Sequence, residues 1–151
     1  MIDRFEDFTA YIAQAQKYIL KIKAHEMQPF GLKASHVMCL FYMGKHKEGL
    51  TAGELTHLCM EDKAGISKAL SELKKKELIM PDTDGGKKIY RAKYFLTEAG
   101  KEIYQKANEI ITKVVEECGK GLSNEERNLF YHSMDLIVSN LKTHCDNIEN
   151  A

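Results

Sequence analysis

Proline is scarce in this sequence, with two residues in 151, and ten glycines complete the helix-breaking inventory. Long helices therefore have room to form. No apolar run approaches the roughly 20 residues that a membrane-spanning helix requires, so no membrane insertion is expected. The segment Met1-Ile2-Asp3-Arg4-Phe5-Glu6-Asp7 lacks a basic region followed by an apolar block, so no secretory signal is visible. The expected location is the cytoplasm, with cysteines 39, 59, 118 and 145 reduced. No Gly-x-Gly-x-x-Gly, P-loop or nucleophile elbow occurs, so neither an enzyme nor a cofactor is expected. Cys-x-x-Cys and His-x-x-x-His are also missing. His36 and Cys39, one helical turn apart, therefore lack the further ligands that zinc needs, and Cys39 reads as core. His144-Cys145 is a weaker pair still, and no metal is expected.

What is present is 44% apolar and 29% charged, the composition of a folded domain. Its net charge of zero conceals a pattern. Residues 1–61 balance, residues 62–96 carry nine basic side chains against five acidic ones, and residues 97–151 carry six against ten. A basic middle beside an acidic flank fits one surface directed at a polyanion, although a charged stretch is commonly just a solvated face.

The apolar spacing of Phe5, Phe8, Ile12, Ile19 and Ile22 predicts a helix over 3–24, broken by Pro29 and Gly31. A second helix is read from Ser35 to Met43, ending near Gly44, with Val37, Leu40 and Phe41 inward. Thr51 and Glu54 form a capping box, and Leu50 and Leu55 a hydrophobic staple, at the start of a short third helix ending around Cys59. Asp62 caps a fourth, running to about Lys76, whose Ile66, Ala69, Leu70 and Leu73 share one face. Two short helices, one tightly capped, followed by a longer one with a small, polar and basic outer face fit a helix-turn-helix. Leu78-Ile79-Met80, a turn-rich Pro81–Gly86 and an alternating run from Ile89 to Leu96 predict a β-hairpin with a Gly-Gly tip. A basic hairpin in that place is a wing. A fifth helix opens at Thr97-Glu98-Ala99-Gly100 and runs to about Cys118. Ser123 and Glu126 box a sixth through Phe130, Met134, Ile137 and Leu141. The fold class read from these elements is mainly α (α+β).

Three segments, Leu50–Leu55, Ile66–Lys76 and Phe95–Gly100, resemble the MarR (multiple antibiotic resistance regulator) family in order and spacing. That resemblance implies a single winged helix-turn-helix domain over 1–151. Residues 30–96 would form the DNA-binding lobe, and 1–24 with 97–151 long N- and C-terminal dimerisation helices. It implies a homodimer on double-stranded DNA, with the helix at 62–76 in the major groove and a wing at 82–91 along the minor groove. A small-molecule effector between the dimer helices and the lobe is also implied; its pocket residues stay unnamed. Two positions depart from the family. Glu77 stands where glycine usually ends the recognition helix, and the tip Asp84-Gly85-Gly86-Lys87-Lys88 lacks the usual wing arginine. Zinc-sensing relatives carry histidines early in the fifth helix and peroxide sensors a cysteine in the first, and this sequence has neither.

Lys63, Lys68, Lys75, Lys87, Lys88 and Arg91 are the expected phosphate contacts. Ala64, Ser67 and Ser71 are short enough to meet base edges, and the capped start at Thr51 brings backbone N–H groups near a phosphate. The expected function is a duplex-DNA-binding transcriptional repressor on a pseudo-palindromic operator. The alternative is a winged-helix module that binds a protein. Cys59, the thiol beside the recognition helix, is read as buried and inert in preference to redox-active.

Overall fold

A computed structural model describes residues 2–84, 86–88 and 90–150, with the side chains of Ile2, Asp84 and Lys88 excluded. The chain forms two compact units, one running to Ile110 and the other from Ile111 onward.

The first unit begins with α1 (Ile2–Met27) and a 3-10 turn at Gln28–Phe30. Then follow α2 (Ala34–Lys45), β1 (Leu50–Thr51), α3 (Ala52–Cys59) and α4 (Lys63–Lys75). Next come β2 (Ile79–Pro81), β3 (Thr83–Asp84), β4 (Lys87–Lys88) and β5 (Lys93–Leu96). Helix α5 (Glu98–Cys118) crosses into the second unit, which continues with α6 (Asn124–Glu149). This is the mainly helical winged helix-turn-helix expected from the sequence.

The core of the first unit lies where α2, α3 and α4 meet. Leu40, Leu55 and Leu73 each retain 1% exposure or less there, joined by Val37, Ile66 and Leu70. Burying side chains of this kind is worth about 1.5–3 kcal/mol apiece, so the three helices hold one another in place. Helix α2 is longer than its expected 35–43. Gly44 lies inside it, because a Cβ at that position would fall 2.5 Å from the Tyr104 ring. Here glycine permits close packing; it does not stop the helix.

Strand β5 is the centre of a three-stranded antiparallel sheet ordered β1-β5-β2. Leu50 faces Tyr94, and Ile79, Met80 and Pro81 face Leu96, Phe95 and Tyr94. Strand β1 was not apparent from sequence, since Leu50-Thr51 already served as staple and cap. Strands β3 and β4 pair separately at the hairpin tip, Thr83 with Lys88 and Asp84 with Lys87. The expected strand over Ile89–Leu96 is shortened. Arg91 adopts φ 56°, a left-handed conformation no strand contains, and β5 starts only at Lys93. Tyr90 is 91% exposed, so its place in the alternation buries nothing. Ile89 lies outside the described residues.

The end of α4 joins α5 through one compact junction. Thr97 accepts the Gly100 N–H at Oγ1 (3.0 Å) and donates that hydroxyl to the Glu77 carbonyl (2.7 Å). A Cβ on Gly100 would collide with the Leu78 carbonyl, so the motif Thr-Glu-Ala-Gly caps and packs at once.

Candidate nucleic-acid interface

Helix α4 is anchored at both ends and along one face. At its start the Asp62 carboxylate accepts the Gly65 N–H at 2.6 Å. At its end Glu77 takes φ 57°, Glu77 N–H donates to Lys74 O (3.0 Å) and Leu78 N–H to Leu73 O (3.1 Å). That is a Schellman stop built on a glutamate, at a cost of about 1 kcal/mol relative to glycine. The turn before α4 uses the same device. Met60, φ 55°, donates to His57 O and Glu61 N–H to Thr56 O, both at 3.3 Å.

The buried stripe Ile66, Ala69, Leu70 and Leu73 leaves Lys63, Ala64, Ser67, Lys68, Ser71 and Lys75 exposed, as their spacing predicts. A third attachment was not legible in sequence. Glu72 reaches across to α2, where its Oε2 accepts the His36 Nε2–H at 2.7 Å. Lys33 Nζ donates to both carboxylate oxygens, at 2.8 and 2.9 Å. His36 is 1% exposed, and its Nδ1 accepts the Lys33 backbone N–H at 3.1 Å, which fixes the tautomer. Donation from Lys33 and then His36 pulls the Glu72 carboxyl down to about 2. Burial, opposed by Glu72, holds the His36 imidazole below its ordinary value. Both ring nitrogens of His36 are engaged, so none is left for a metal. Among the described residues no three histidine, cysteine or acidic side chains gather as a metal site.

Between α3, α4 and the hairpin lies a cleft of about 630 Å³. Lys63, Ser67, Ser71 and Lys74 line one wall, Ala52 and Gly53 the start of α3, and Thr83 and Gly86 the hairpin. Three of the expected contacts, Lys63, Ser67 and Ser71, therefore come together. Lys74 was missed, although its step from Ser67 and Ser71 already placed it on their stripe. Lys75 is exposed outside that cleft. Lys87 is exposed on β4, Arg91 is exposed in its left-handed turn, and the Lys88 side chain lies outside the described residues.

Thr51 is the N-cap of α3. Its Oγ1 accepts the Glu54 N–H (3.2 Å), and its own N–H donates to Glu54 Oε2 (2.7 Å). That donation holds the Glu54 carboxyl below its ordinary range and leaves the Thr51 N–H committed. Ala52 and Gly53, the next two residues, are the part of this helix start that borders the cleft. Cys39 is fully buried as expected, whereas Cys59 is partly exposed at the end of α3, correcting its reading as a buried thiol.

A second cavity, about 520 Å³, is lined by Met43, Met80, Phe95 and Tyr104 with Lys47 and Lys101. It sits between α2, the sheet and the start of α5.

No protein-family model and no curated protein matches the sequence. Solved structures do match in fold. A MarR transcriptional regulator from Methanosarcina mazei Go1 superposes with a TM-score of 0.82 at 17% identity, covering 91% of each chain. MarR of Staphylococcus aureus, solved with salicylate and kanamycin, gives 0.80 at 19% identity and 94% of each chain. MepR of S. aureus in its DNA complex gives 0.76 at 18%, covering 89% of this chain and 96% of that one. At such identities it is the fold that is shared, and it is the fold of winged-helix transcriptional regulators.

Proposed function

We propose that this chain is a MarR-type transcriptional regulator that binds duplex DNA as a homodimer, represses, and is released by a small-molecule effector. The observation that carries the reading is helix α4, fixed at three points, with its only exposed face made of lysines and short side chains. Short groups at the centre admit the helix to a groove floor, and lysines at the margins neutralise phosphates. The adjoining cleft continues that surface to the hairpin, which would follow the neighbouring minor groove. One structure of the same fold was solved on DNA, which supports the same use here.

Dimerisation rests on apolar surface that neither long helix covers with its own chain. Phe5, Ile12 and Ile19 repeat every seven residues along α1 and are 57%, 40% and 49% exposed. In α6, Phe130, Ile137 and Leu141 are similarly open, and no residue of that helix is buried. Stripes of this length in water are interaction surfaces, and a two-fold partner covers both kinds at once. The division follows, with 30–96 as the DNA lobe and 1–24 with 97–151 as dimer helices. The cavity of about 520 Å³ beside α5 has the size of a small-molecule site, which supports effector control. An effector that widens or narrows the spacing of two recognition helices shifts the dimer away from half-sites about 10–11 base pairs apart.

The test is an anisotropy titration of the protein on the duplex upstream of its own coding region, at several salt concentrations. A scrambled duplex and the variant Lys68→Glu/Lys87→Glu run beside it. About six phosphate contacts per subunit predict a salt slope of order −10 and a loss of roughly a hundredfold or more in the variant. Both substituted residues are exposed, so its melting temperature should not move. Wild-type protein that binds no duplex at low salt would overturn the reading.

A further inference from the structure

We infer that the contact of His36 with Glu72 and Lys33 is a proton-sensitive latch on α4, and that protonation of His36 opens it and weakens duplex binding as pH falls. The effect on DNA rests on the regulator reading above.

The latch joins two helices through one buried ring. His36, in the first turn of α2, is 1% exposed. Its Nε2–H donates to Glu72 on α4 at 2.7 Å, and its Nδ1 accepts the backbone N–H of Lys33, the N-cap of α2, at 3.1 Å. A neutral ring with its proton on Nε2 is the one form that satisfies both neighbours. Glu72 directly follows Ser71, and Lys68 and Lys75 lie within a helical turn of it. Whatever holds Glu72 therefore sets the pose of the outer face of α4.

A proton from solvent has one place to go on this ring, the Nδ1 lone pair that the Lys33 N–H already uses. Two N–H donors would then point at one another, and a cation would replace a buried neutral group. Among the charges that act on the ring, Glu72 favours the cation, while Lys33 and Lys76, the C-cap of α4, oppose it. Ionisable groups on the other elements packed against α2 have partners of their own. Lys23 of α1 donates to Met38 Sδ at 2.9 Å, and His25 pairs with Glu26 at 3.4 Å. Glu54 of α3 accepts the Thr51 N–H, and Lys93 of β5 donates to the Glu48 carbonyl at 3.4 Å. Burial thus outweighs Glu72 and holds the imidazole below its ordinary value. The protonated ring gains water only when the start of α2 parts from α4. Lys33 Nζ, bound to both oxygens of the same carboxylate, moves with that start. Glu72, at about 2, stays ionised throughout, so the change of charge falls to His36.

Duplex binding selects the latched form and must expel the proton from each His36 that holds one. One proton per subunit gives the logarithm of affinity a slope against pH that approaches about +2 for a dimer. Exposed histidines such as His57 on α3 act in the opposite sense, because a cationic ring attracts phosphate more strongly as pH falls. The sign of the pH dependence therefore separates a latch from simple surface charge.

The experiment titrates the full chain into the upstream duplex at fixed salt between about pH 7.5 and 5, following the His36 ring by proton–carbon NMR. His36→Gln, which keeps a donor for Glu72 and takes no proton, runs beside it, as does Glu72→Gln. Affinity of the parent should fall about tenfold or more on acidification, while that of His36→Gln stays level or rises. In Glu72→Gln the group that favours the cation is gone, so the His36 signal should titrate at lower pH than in the parent. A parent affinity that rises or stays level on acidification would overturn the latch, as would a His36→Gln profile that falls like the parent's. A His36 ring still neutral at about pH 5 would overturn it without any variant. If no duplex is bound at any pH, the regulator reading falls, and amide exchange of α4 decides the latch alone. Faster exchange as His36 takes its proton supports it, and unchanged exchange overturns it.

Discussion

Helices α4 and α6 carry apolar stripes of the same helical period, yet they end in opposite situations. In α4 the stripe Ile66, Ala69, Leu70 and Leu73 is buried against α2 and α3. In α6 the stripe Phe130, Ile137 and Leu141 stays exposed, and no residue of the helix is buried. Periodicity reports that a face needs cover; it does not say where the cover comes from. The fastenings of the two helices differ as well. Helix α4 carries a cap, a left-handed stop and a cross-link to α2 through Glu72 and His36. The attachments found on α6 are mostly of its own making, such as the Ser123–Glu126 capping box and the Lys142–Asp146 pair. The surface proposed to meet DNA is fastened within the chain, and the stripe proposed to meet a second copy is left open.

The comparison breaks most severely at the α4 core. Leu73→Ala removes a side chain with no exposure and should cost about 2–5 kcal/mol, read as a fall in the urea midpoint. An unchanged midpoint would mean that the three-helix core does not hold the lobe. The matching change on the other side is Val138→Asp, at a residue 55% exposed. It should leave the melting of the lobe in place and convert dimer to monomer in sedimentation equilibrium. A dimer that persists at micromolar concentration would remove α6 from the interface.

A smaller effect lies at the cross-link. Glu72 has its carboxyl lowered from 4.5 to about 2, so the unfolded chain binds its proton first as pH falls. The stability it contributes is therefore full above about pH 4.5 and is lost as pH drops toward 2. The lowered His36 acts in the same direction, because unfolding lets the imidazole take up a proton below its ordinary value. Glu72→Gln should flatten the dependence of the urea midpoint on pH between about 4.5 and 2. A variant whose acid profile follows the parent would show that the cluster contributes nothing to acid sensitivity.

The smallest effect carries the opposite sign. Glu77→Gly relieves a left-handed glutamate and should raise stability by roughly 1 kcal/mol or a little less. Loss of stability would mean that the Glu77 side chain holds a contact worth more than the strain.

Where one residue states its own role, the sequence was sufficient. Thr51 with Glu54 and Ser123 with Glu126 named two helix starts, and the stripe from Ile66 to Leu73 named the buried face of α4 and hence the outward residues from Lys63 to Lys75. These are local properties, fixed by hydrogen-bond geometry over three residues or by the helical repeat. Strand β1 and the attachment of Glu72 to His36 and Lys33 were hidden, because each joins residues separated by 36 to 44 positions. The hairpin was visible as turn chemistry, but its register was not, since the left-handed Arg91 interrupts an alternation that looked continuous. The sequence by itself therefore determined the winged helix-turn-helix and the face it presents. Only the tertiary structure decided which buried or half-buried polar groups meet between α2 and α4. A caps-and-stripes pattern lowers free energy within one element, whereas a cross-helix hydrogen bond exists only once packing has brought two elements to a fixed distance.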